Sequence, residues 1–509
     1  IFAAPFIKST IEDKLTYYRS DSVSIGSVQI NFFPVGLKIK DAYIDLYLPL
    51  DTVLVKWNGQ ISHAKVAGID WYKAWKNKEW DVASIQVGEG ALRWRVTKIT
   101  TNDTARFEVS TSRVKPNILL RQLEIENLDL KLVRDSFAIS LQTSLNLDSL
   151  SIKRGDSVQW RLKRAVLHSE DATFNNVVED FDLKYKSMDF DSRDSALIIA
   201  GFEMTPRLTP EGFSNKYPYR KVQSDLYVST ITLSGIDLGL SNRGLFAHKL
   251  LLDSCDFRIY QDIRKERPEE RKLLPSEMIA KIPIPTAIDS VVIKRAYLDY
   301  KHQGKTDDKG LANLKVDQLT LKVFPVSNLG HTVAADVNIT ATARLQKKAM
   351  VSMTAKFLAD KPNHDFEVDL SMTETPIASF NEMLLPTIGI SAKSGYCKGA
   401  RVHMAGNDFE VRGDLDIAYI DLKIDIPPRQ KGEQKLLGKI TEGLGNFALV
   451  NTNATMNDHK GTIYFKRPQK EPFVNFWWKG IESGLLDVII RFHQVGTDDK
   501  TRKRKVWKK

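Results

Sequence analysis

Motifs that carry chemistry are scarce in this chain. It has two cysteines, Cys255 and Cys397, and no CxxC pair, which excludes zinc ribbons and thioredoxin-like sites. The phosphate-binding GxxxxGK[ST] loop, the GxSxG elbow and the HExxH zinc motif are also absent. The nine histidines are scattered, and none stands at metal-ligand spacing from another. We therefore expect no enzyme activity, no catalytic residues, no metal site and no cofactor.

Long apolar runs are missing as well. The first seven residues, IFAAPFI, are far fewer than the ~18–20 residues that span a bilayer. Because residue 1 is not Met, we interpret them as the trailing end of a membrane helix or signal segment, with an arbitrary start as the alternative. Apolar residues Ile7, Ile11 and Leu15 then fall on one face of a helix. We expect a helix within residues 1–20 that follows a missing membrane anchor.

The positive charge is concentrated in a tail. The formal net charge is +11, and Lys500 to Lys509 contain seven basic residues and no acid, which leaves 11 − 7 = +4 for the rest. A confined tail does not make a nucleic-acid-binding groove, so we expect no nucleic-acid partner. A solvated tail and a contact with anionic lipid or sugar phosphate are both open interpretations.

Beyond residue 20, most of the chain alternates apolar and polar residues with the period of a β-strand. Repeatedly the register slips by one residue and alternation then resumes, as where Leu145 and Leu147 are followed by Leu150 and Ile152. An uncorrected slip would turn apolar side chains outward, so a bulge or corner must keep them on one face. The slip positions expected to form such bulges or corners are Asn127, Ser149, Gly235, Ser254 and Arg295.

These patterns predict a mostly β fold: a repetitive, elongated β-sheet with a few short helices. An ordinary large β-sandwich is the alternative. Helices are predicted at residues 276–281, 377–385, 432–445 and 473–488. The predicted organisation is an N-terminal helix (1–20), a β-repeat region (21–261), a charged linker or loop (262–275), a C-terminal β region (276–430), helices and a strand (431–492) and a basic tail (493–509).

Tryptophans are concentrated near the N-terminus, at Trp57, Trp71, Trp75, Trp80 and Trp94. Side chains of this type line cores or grooves, anchor proteins at membrane interfaces, or stack on carbohydrate. The sequence favours core or groove lining and leaves the other two interpretations open.

Two segments resemble a known family. Leu274 to Tyr300 resembles a recurring stretch of bacterial AsmA-like proteins, and Phe380 to Lys423 is similar to the C-terminal region of the Bacteroidetes-type members. The second match is carried by Asn381, Pro386, Ser394, Gly395, Asn407, Asp408, Gly413, Tyr419, Asp421, Leu422 and Lys423. The stretches Val23 to Gly26 and Phe33 to Leu37 are also typical of the family just after its membrane helix.

The resemblance implies a periplasmic protein anchored to the bacterial inner membrane. It implies that the sheet is an elongated, curled antiparallel β-sheet of the repeating β-groove (taco-like) type. It also implies a bridge-like lipid-transfer role in phospholipid traffic to the outer membrane and in outer-membrane integrity. Expected partners are phospholipid or another lipid, the membrane, and an outer-membrane or periplasmic protein. The alternative is a scaffold for outer-membrane protein assembly that uses exposed sheet edges for strand addition. The candidates for lining a lipid groove are Leu123, Ile125, Leu128, Leu130, Leu132, Leu145, Leu147, Leu150, Ile152, Ile231, Leu233, Ile236 and Leu238.

Overall fold

The computed structural model describes residues 22–491, with gaps at 33–34, 51–52, 78, 99–116, 135–136, 155–157, 238–243, 305–309, 330–335, 359–360, 362, 426–447 and 457, together with Pro5, Lys8, Ser9 and Glu12. Those four N-terminal residues are helical, whereas most of the region 1–20, in which a helix is predicted, lies outside the described residues. The predicted helix at 432–445 and the basic tail also lie outside them. The chain divides into an N-terminal unit (residues 1–208 and 225–253) and a C-terminal unit (209–224 and 254–509).

Strands make up most of the described chain. Their bounds are β1 Ser22–Phe32, β2 Val35–Leu50, β3 Val53–Ile69, β4 Glu79–Val87, β5 Gly90–Lys98, β6 Asn117–Arg134, β7 Phe137–Arg154, β8 Val158–Arg161, β9 Arg164–Val178, β10 Phe181–Asp191, β11 Ala196–Pro206, β12 Val222–Ser234 and β13 Leu245–Asp262. They continue with β14 Thr286–Gln303, β15 Leu311–Phe324, β16 Val326–Ser327, β17 Val337–Leu345, β18 Ala349–Phe357, β19 Phe366–Met372, β20 Thr375–Pro376, β21 Ser391–Gly406, β22 Glu410–Asp425, β23 Ala448–Leu449, β24 Gly461–Lys466 and β25 Ile490–Arg491.

The helices are short. They are α1 Trp71–Asn77, α2 Pro210–Lys216, α3 Pro275–Ala280, α4 Asn381–Ile388, which a 3₁₀ turn at Ile377–Phe380 precedes, and α5 Phe473–Ile489. The predicted helices at 276–281 and 473–488 are confirmed as α3 and α5. The one predicted to end at Leu385 instead runs through Pro386 and ends before Gly389, whose φ of 72° suits a helix terminus. Pro386 is the sixth of the eight helical residues and removes one backbone hydrogen bond, the one back to Glu382, so only the last turn is weakened and the helix continues to Ile388.

The sheet of the N-terminal unit is built mainly from antiparallel pairs of strands. β1 pairs with β2 and β2 with β3, and β6, β7, β9, β10, β11 and β12 follow as successive neighbours. β4 and β5 lie one after the other along β3, and β8 and β9 do the same along β7. With few and short helices beside these strands, the predicted mostly β fold is confirmed.

Two pairings depart from the antiparallel prediction. β4 and β5 run parallel to β6, with Glu79 opposite Asn117 and Val96 opposite Arg134. Parallel neighbours need a crossover connection, because the chain must return to the starting end of the sheet. The apolar alternation is identical in both orientations and could not reveal this connection.

The predicted corners are present in the backbone. Positive φ angles occur at four of the predicted positions: Ser149 (55°), Gly235 (67°), Ser254 (56°) and Arg295 (51°). The fifth, Asn127, lies where the β6–β7 register shifts between Ile125 and Leu128. A left-handed residue or an extra residue turns the strand locally. Apolar side chains before and after each corner can therefore stay on one face.

The C-terminal unit has a sheet covered by a helix. β15, β17, β18, β19, β21, β22 and β24 are successive antiparallel neighbours, and β14 pairs with β15. Helix α5 lies against β22 and β24 so closely that a Cβ atom on Gly461 would meet the carbonyl oxygen of Gly484 at 2.1 Å. Under it lies a core that includes Phe357, Phe366 and Phe476, each at most 1% exposed. This part of the molecule is a sealed hydrophobic core.

The charged segment predicted as a linker or loop is an irregular loop that the C-terminal unit holds in place. Arg467, whose side chain is fully buried, donates to the carboxylate of Asp408 and, at 2.6 Å, to the carbonyl of Lys272. Arg271 bridges Asp408 (2.9 Å) and Glu277 (2.8 Å), and these two hydrogen-bonded carboxylates raise its pKa. The loop is therefore fixed by ionic contacts, although many of its side chains are exposed.

Candidate functional site

An apolar row crosses the sheet of the N-terminal unit. It takes one residue from every strand between β1 and β12 except β5 and β8, and each residue lies directly opposite the next. Its members are Val28, Ile39, Ala64, Val87, Ile125, Leu145, Leu167, Phe190, Leu197 and Leu233. Directly paired residues project from the same face of a sheet. The row therefore joins predicted lining residues from β6, β7 and β12 on one face.

Further apolar pairs lie on either side of this row. On β6 and β7 they are Ile118 with Ile152, Leu120 with Leu150, Leu123 with Leu147, Leu130 with Leu141 and Leu132 with Ile139, whereas Leu128 faces Thr143. On β12, Ile231 faces Ile199. Ile236 follows the end of β12 and donates its backbone N–H to Ser195 at 2.9 Å, and Leu238 lies outside the described residues. We call the surface formed by the row and these pairs the apolar face.

The exposure of the apolar face lies between that of a core and that of ordinary surface. Among the candidate lining residues that the structure describes, Leu128 and Leu233 are buried and the others are half-buried. On the same strands, the alternate residues Lys131, Gln142 and Asn146 are exposed. The sheet thus has one apolar and one polar face.

Little of the described chain covers the apolar face. All strands described in the N-terminal unit belong to a single sheet, so this part of the chain has no second, separately hydrogen-bonded sheet to pack against the apolar face. Beyond the helical residues near the start of the chain, α1 is the helix described in this unit, and it lies against β4. A helix comparable to α5 is therefore absent from the described part of this unit.

Two of the clustered tryptophans lie on the apolar face. Trp57 on β3 faces Trp94 on β5, which in turn faces Leu132. The two indole rings meet edge to face, with centroids 5.1 Å apart, and the Nε1 atom of each is buried without a hydrogen-bond partner among the described residues. A buried N–H group left unpaired is costly, by roughly 1–3 kcal/mol. This geometry is that of apolar lining rather than of a sugar-stacking platform.

The polar face of the same sheet carries cross-strand ion pairs. His168 contacts Asp189 (2.6 Å) and Glu170 (2.9 Å), and hydrogen bonds to these carboxylates raise its pKa. Asp191 accepts from Arg164 at 2.7 Å, and this hydrogen bond lowers the pKa of the carboxyl group. Asp189 and Asp191 on β10 are thus paired with basic side chains of the neighbouring strand β9, and Glu170 shares His168 on its own strand. The arrangement suits a solvated surface and not a convergent acid–base pair.

A polar cleft of about 430 Å³ lies on the sheet of the C-terminal unit. Within it, His403 contacts Asp369 at 2.8 Å, but both side chains are more than half exposed. The nearby hydroxyl of Ser371 hydrogen-bonds Ser352 at 2.7 Å. Because the pair is open to solvent and the hydroxyl is bonded elsewhere, the cleft does not form a nucleophile–base–acid relay.

Residues that carry the family resemblance have structural roles. Asn381 bonds the backbone N–H and carbonyl of Ala392, at 2.8 and 2.9 Å, and Asn407 caps the turn before β22. The hydroxyl of the buried Tyr419 donates to the carbonyl of Val450 at 2.9 Å. Asp408 belongs to the buried ion cluster with Arg467. These side chains stabilise turns and the core of the C-terminal unit.

Among the described residues, no group of three or more His, Cys, Asp or Glu side chains is placed to hold a metal ion. In that same part of the chain, no helix combines the length and the apolar character needed to cross a membrane. Compared with known proteins, the chain matches no family model and no curated protein. The AsmA-like assignment therefore stays a prediction carried by the motifs quoted above.

Proposed function

We propose that this chain is a non-enzymatic protein that holds or conducts phospholipid along the apolar face of its N-terminal unit. The observation that carries the proposal is the apolar row, which runs from β1 to β12 and is mostly half-buried. In the C-terminal unit, an apolar sheet surface is sealed by α5. A soluble protein rarely leaves so continuous an apolar surface without a ligand or partner for it.

The energetics favour acyl chains as that ligand. Each buried methylene group contributes about 0.8 kcal/mol, so lipid tails bind an apolar surface without specific polar contacts. At ~4.8 Å between strands, the row extends on the order of 40 Å, longer than a single acyl chain. The lack of convergent polar groups on this face agrees with a ligand recognised by its tails.

The cellular setting of the proposal comes from the AsmA-like resemblance. If the resemblance holds, the protein lies in the periplasm, is anchored to the inner membrane through an N-terminal helix, and moves lipid between the inner and outer membranes. The basic tail then offers a contact for anionic lipid, and a protein at the far membrane is the expected partner.

Native mass spectrometry with lipid extraction tests the proposal. We expect phospholipid to co-purify with the wild-type chain and to be largely lost from Leu147→Asp, which places a charge on the apolar face. Asn146→Asp is the matched control, because it introduces the same group one residue away on the exposed, polar face. Circular dichroism and thermal unfolding establish that both variants fold.

Two results would contradict the proposal. One is a wild-type protein that is free of lipid and takes up none from vesicles. The other is equal lipid loss from both variants. A lipid-free, monodisperse protein with a well-packed apolar face would favour the assembly scaffold instead.

A further inference from the structure

One end of the sheet in the N-terminal unit carries large aromatic side chains in solvent. Phe32 is 73% exposed, Trp71 55%, Tyr72 62%, Trp75 83% and Trp80 40%. Such side chains are normally buried, and several together on one surface mark an interaction site. We call these five residues the aromatic end.

The pairing registers explain why the five residues share one end. Phe32 pairs with Val35 at the tip of the β1–β2 hairpin, and Gly36 of β2 lies opposite Ala67 near the end of β3. Helix α1, with Trp71, Tyr72 and Trp75, begins just after β3, and Trp80 opens β4 immediately after the helix. The hairpin tip, the helix and the start of β4 therefore meet at the same end of the strands.

The aromatic end is continuous with the apolar face. The ring of Trp71 lies 6.2 Å from that of Trp80. Trp80 is directly opposite Ile118 of β6, which is directly opposite Ile152 of β7. The apolar pairs that begin there continue along both strands to Leu123 and Leu147. An apolar surface thus runs from the exposed tryptophans to the apolar row.

The chemistry of the aromatic end indicates what it contacts. Tryptophan and tyrosine rings are amphipathic and settle at the boundary between lipid headgroups and acyl chains. Trp71 and Trp80 meet at 68°, so they do not form the flat platform on which a sugar ring stacks. Lys76 approaches Tyr72, with its Nζ atom 2.8 Å from the hydroxyl, so a cation lies beside the rings, as at membrane interfaces.

We propose that the aromatic end inserts into the surface of a phospholipid bilayer and opens the apolar face to lipid from that bilayer. The proposal rests on the proposed function, since it supplies an entrance for the lipid held on the apolar face. It also assigns a role to Trp71, Trp75 and Trp80 that differs from the lining role of Trp57 and Trp94.

Insertion at this end does not depend on anionic lipid. Lys73 is paired with Asp81 at 2.6 Å, and Arg121 contacts the same carboxylate at 3.1 Å. Asp70 also lies 3.7 Å from Lys73. Because these charges compensate one another, we expect the aromatic rings to drive binding of the aromatic end to the bilayer. The aromatic end should therefore bind membranes made of zwitterionic lipid.

Flotation with pure phosphatidylcholine vesicles tests the proposal on the full chain. The neutral lipid keeps the basic tail, which prefers anionic surfaces, from contributing. We expect the wild type to float with the vesicles and Trp71→Ser/Trp75→Ser to bind about tenfold or more weakly, since each inserted ring adds a substantial apolar contact. Trp478→Ser is the matched control, because Trp478 is 46% exposed but lies on α5 in the C-terminal unit.

Several results would overturn the proposal. These are a wild type that does not bind neutral vesicles, binding that requires anionic lipid, or equal loss of binding in Trp478→Ser. Light scattering that shows the wild type as a dimer and the double variant as a monomer would assign the patch to a second copy instead. Leu147→Asp separates the two proposals: it should lose bound lipid yet still float, so failure at the aromatic end leaves the lipid-binding result standing.

Discussion

Replacing one leucine in each unit by alanine compares the stability contributed by the apolar face with that contributed by a sealed core. Leu415 is 1% exposed in the core beneath α5, whereas Leu147 is half-buried on the apolar face. Leu415→Ala removes fully buried carbons and leaves a cavity, so we expect it to cost about 2–5 kcal/mol. At Leu147 only part of the burial is lost and solvent can fill the space. At ~0.8 kcal/mol per buried methylene, we expect Leu147→Ala to cost about 1 kcal/mol.

Hydrogen exchange followed by mass spectrometry is the suitable assay. A chain with two compact units is not expected to unfold in a single two-state step, so a global midpoint would mix them. Peptides from β7 and β22 report the opening free energy of each unit separately. The measurement is made on delipidated protein and repeated with phospholipid, where we expect β7 to gain protection in the wild type and less in Leu147→Ala.

Similar costs for the two substitutions in delipidated protein would refute this reasoning. Leu147 would then lie in a packed interior, and no surface would be free for lipid. Loss of protection in β7 on adding phospholipid would contradict it equally.

Two further predictions concern titration and buried charge in the C-terminal unit. Burial lowers the pKa of His302 to about 4 from an ordinary value of 6.5, so the folded state holds the neutral ring. As the pH falls below 6.5, His302 takes up a proton in the unfolded chain before it does so in the folded protein. We therefore expect the free energy of unfolding to fall between pH 6.5 and 4, by on the order of 3 kcal/mol relative to pH 7. His302→Gln should flatten that part of the profile of unfolding free energy against pH, and identical profiles would contradict the assignment. Arg467→Gln leaves the buried carboxylate of Asp408 without its main partner, so we expect a loss of about 3–5 kcal/mol, measured as faster hydrogen exchange in the loop at 263–274. Unchanged exchange there would show that the ion cluster does not hold the loop.

The β architecture could be predicted because its determinants are local. Alternation identifies a strand from a few residues, and a slip in alternation identifies a corner, as Ser149 and Ser254 show. The parallel alignment of β4 and β5 with β6 depends on the path of a connection and leaves no trace in the alternation.

The short helices were predicted unevenly. α2 has the sequence signals of a helix N-terminus: Thr209 is the N-cap and accepts a hydrogen bond from the backbone N–H of Gly212, and Pro210 occupies the first turn. α1 has no apolar stripe facing a core, because its aromatic side chains point into solvent. At seven residues, α1 is also too short for a 3.6-residue period to be recognised in the sequence.

The candidate lining residues could be selected from sequence, but their arrangement could not. The pattern around Leu145 resembles the pattern around Leu233, yet only the strand registers place both in one row. Alternation is also the same whether an apolar face meets another layer or remains partly open, so the contrast between the two units came from the structure. The exposed position of Trp75 and the lining position of Trp94 likewise depend on which element each residue occupies.

The order of the strands in the sheet has a consequence for how the chain folds during its synthesis. In the N-terminal unit, most strands pair with the strand that precedes them in sequence, so each newly synthesised strand finds its template already in place. Such short-range pairing lowers the entropic cost of loop closure and allows the sheet to grow in the direction of synthesis. At every stage the last strand has an unpaired edge, and the next segment of the same chain is the nearest one able to pair with it. Growth by addition at one edge also allows a sheet of this kind to lengthen through duplication of hairpins without rebuilding the strands already present.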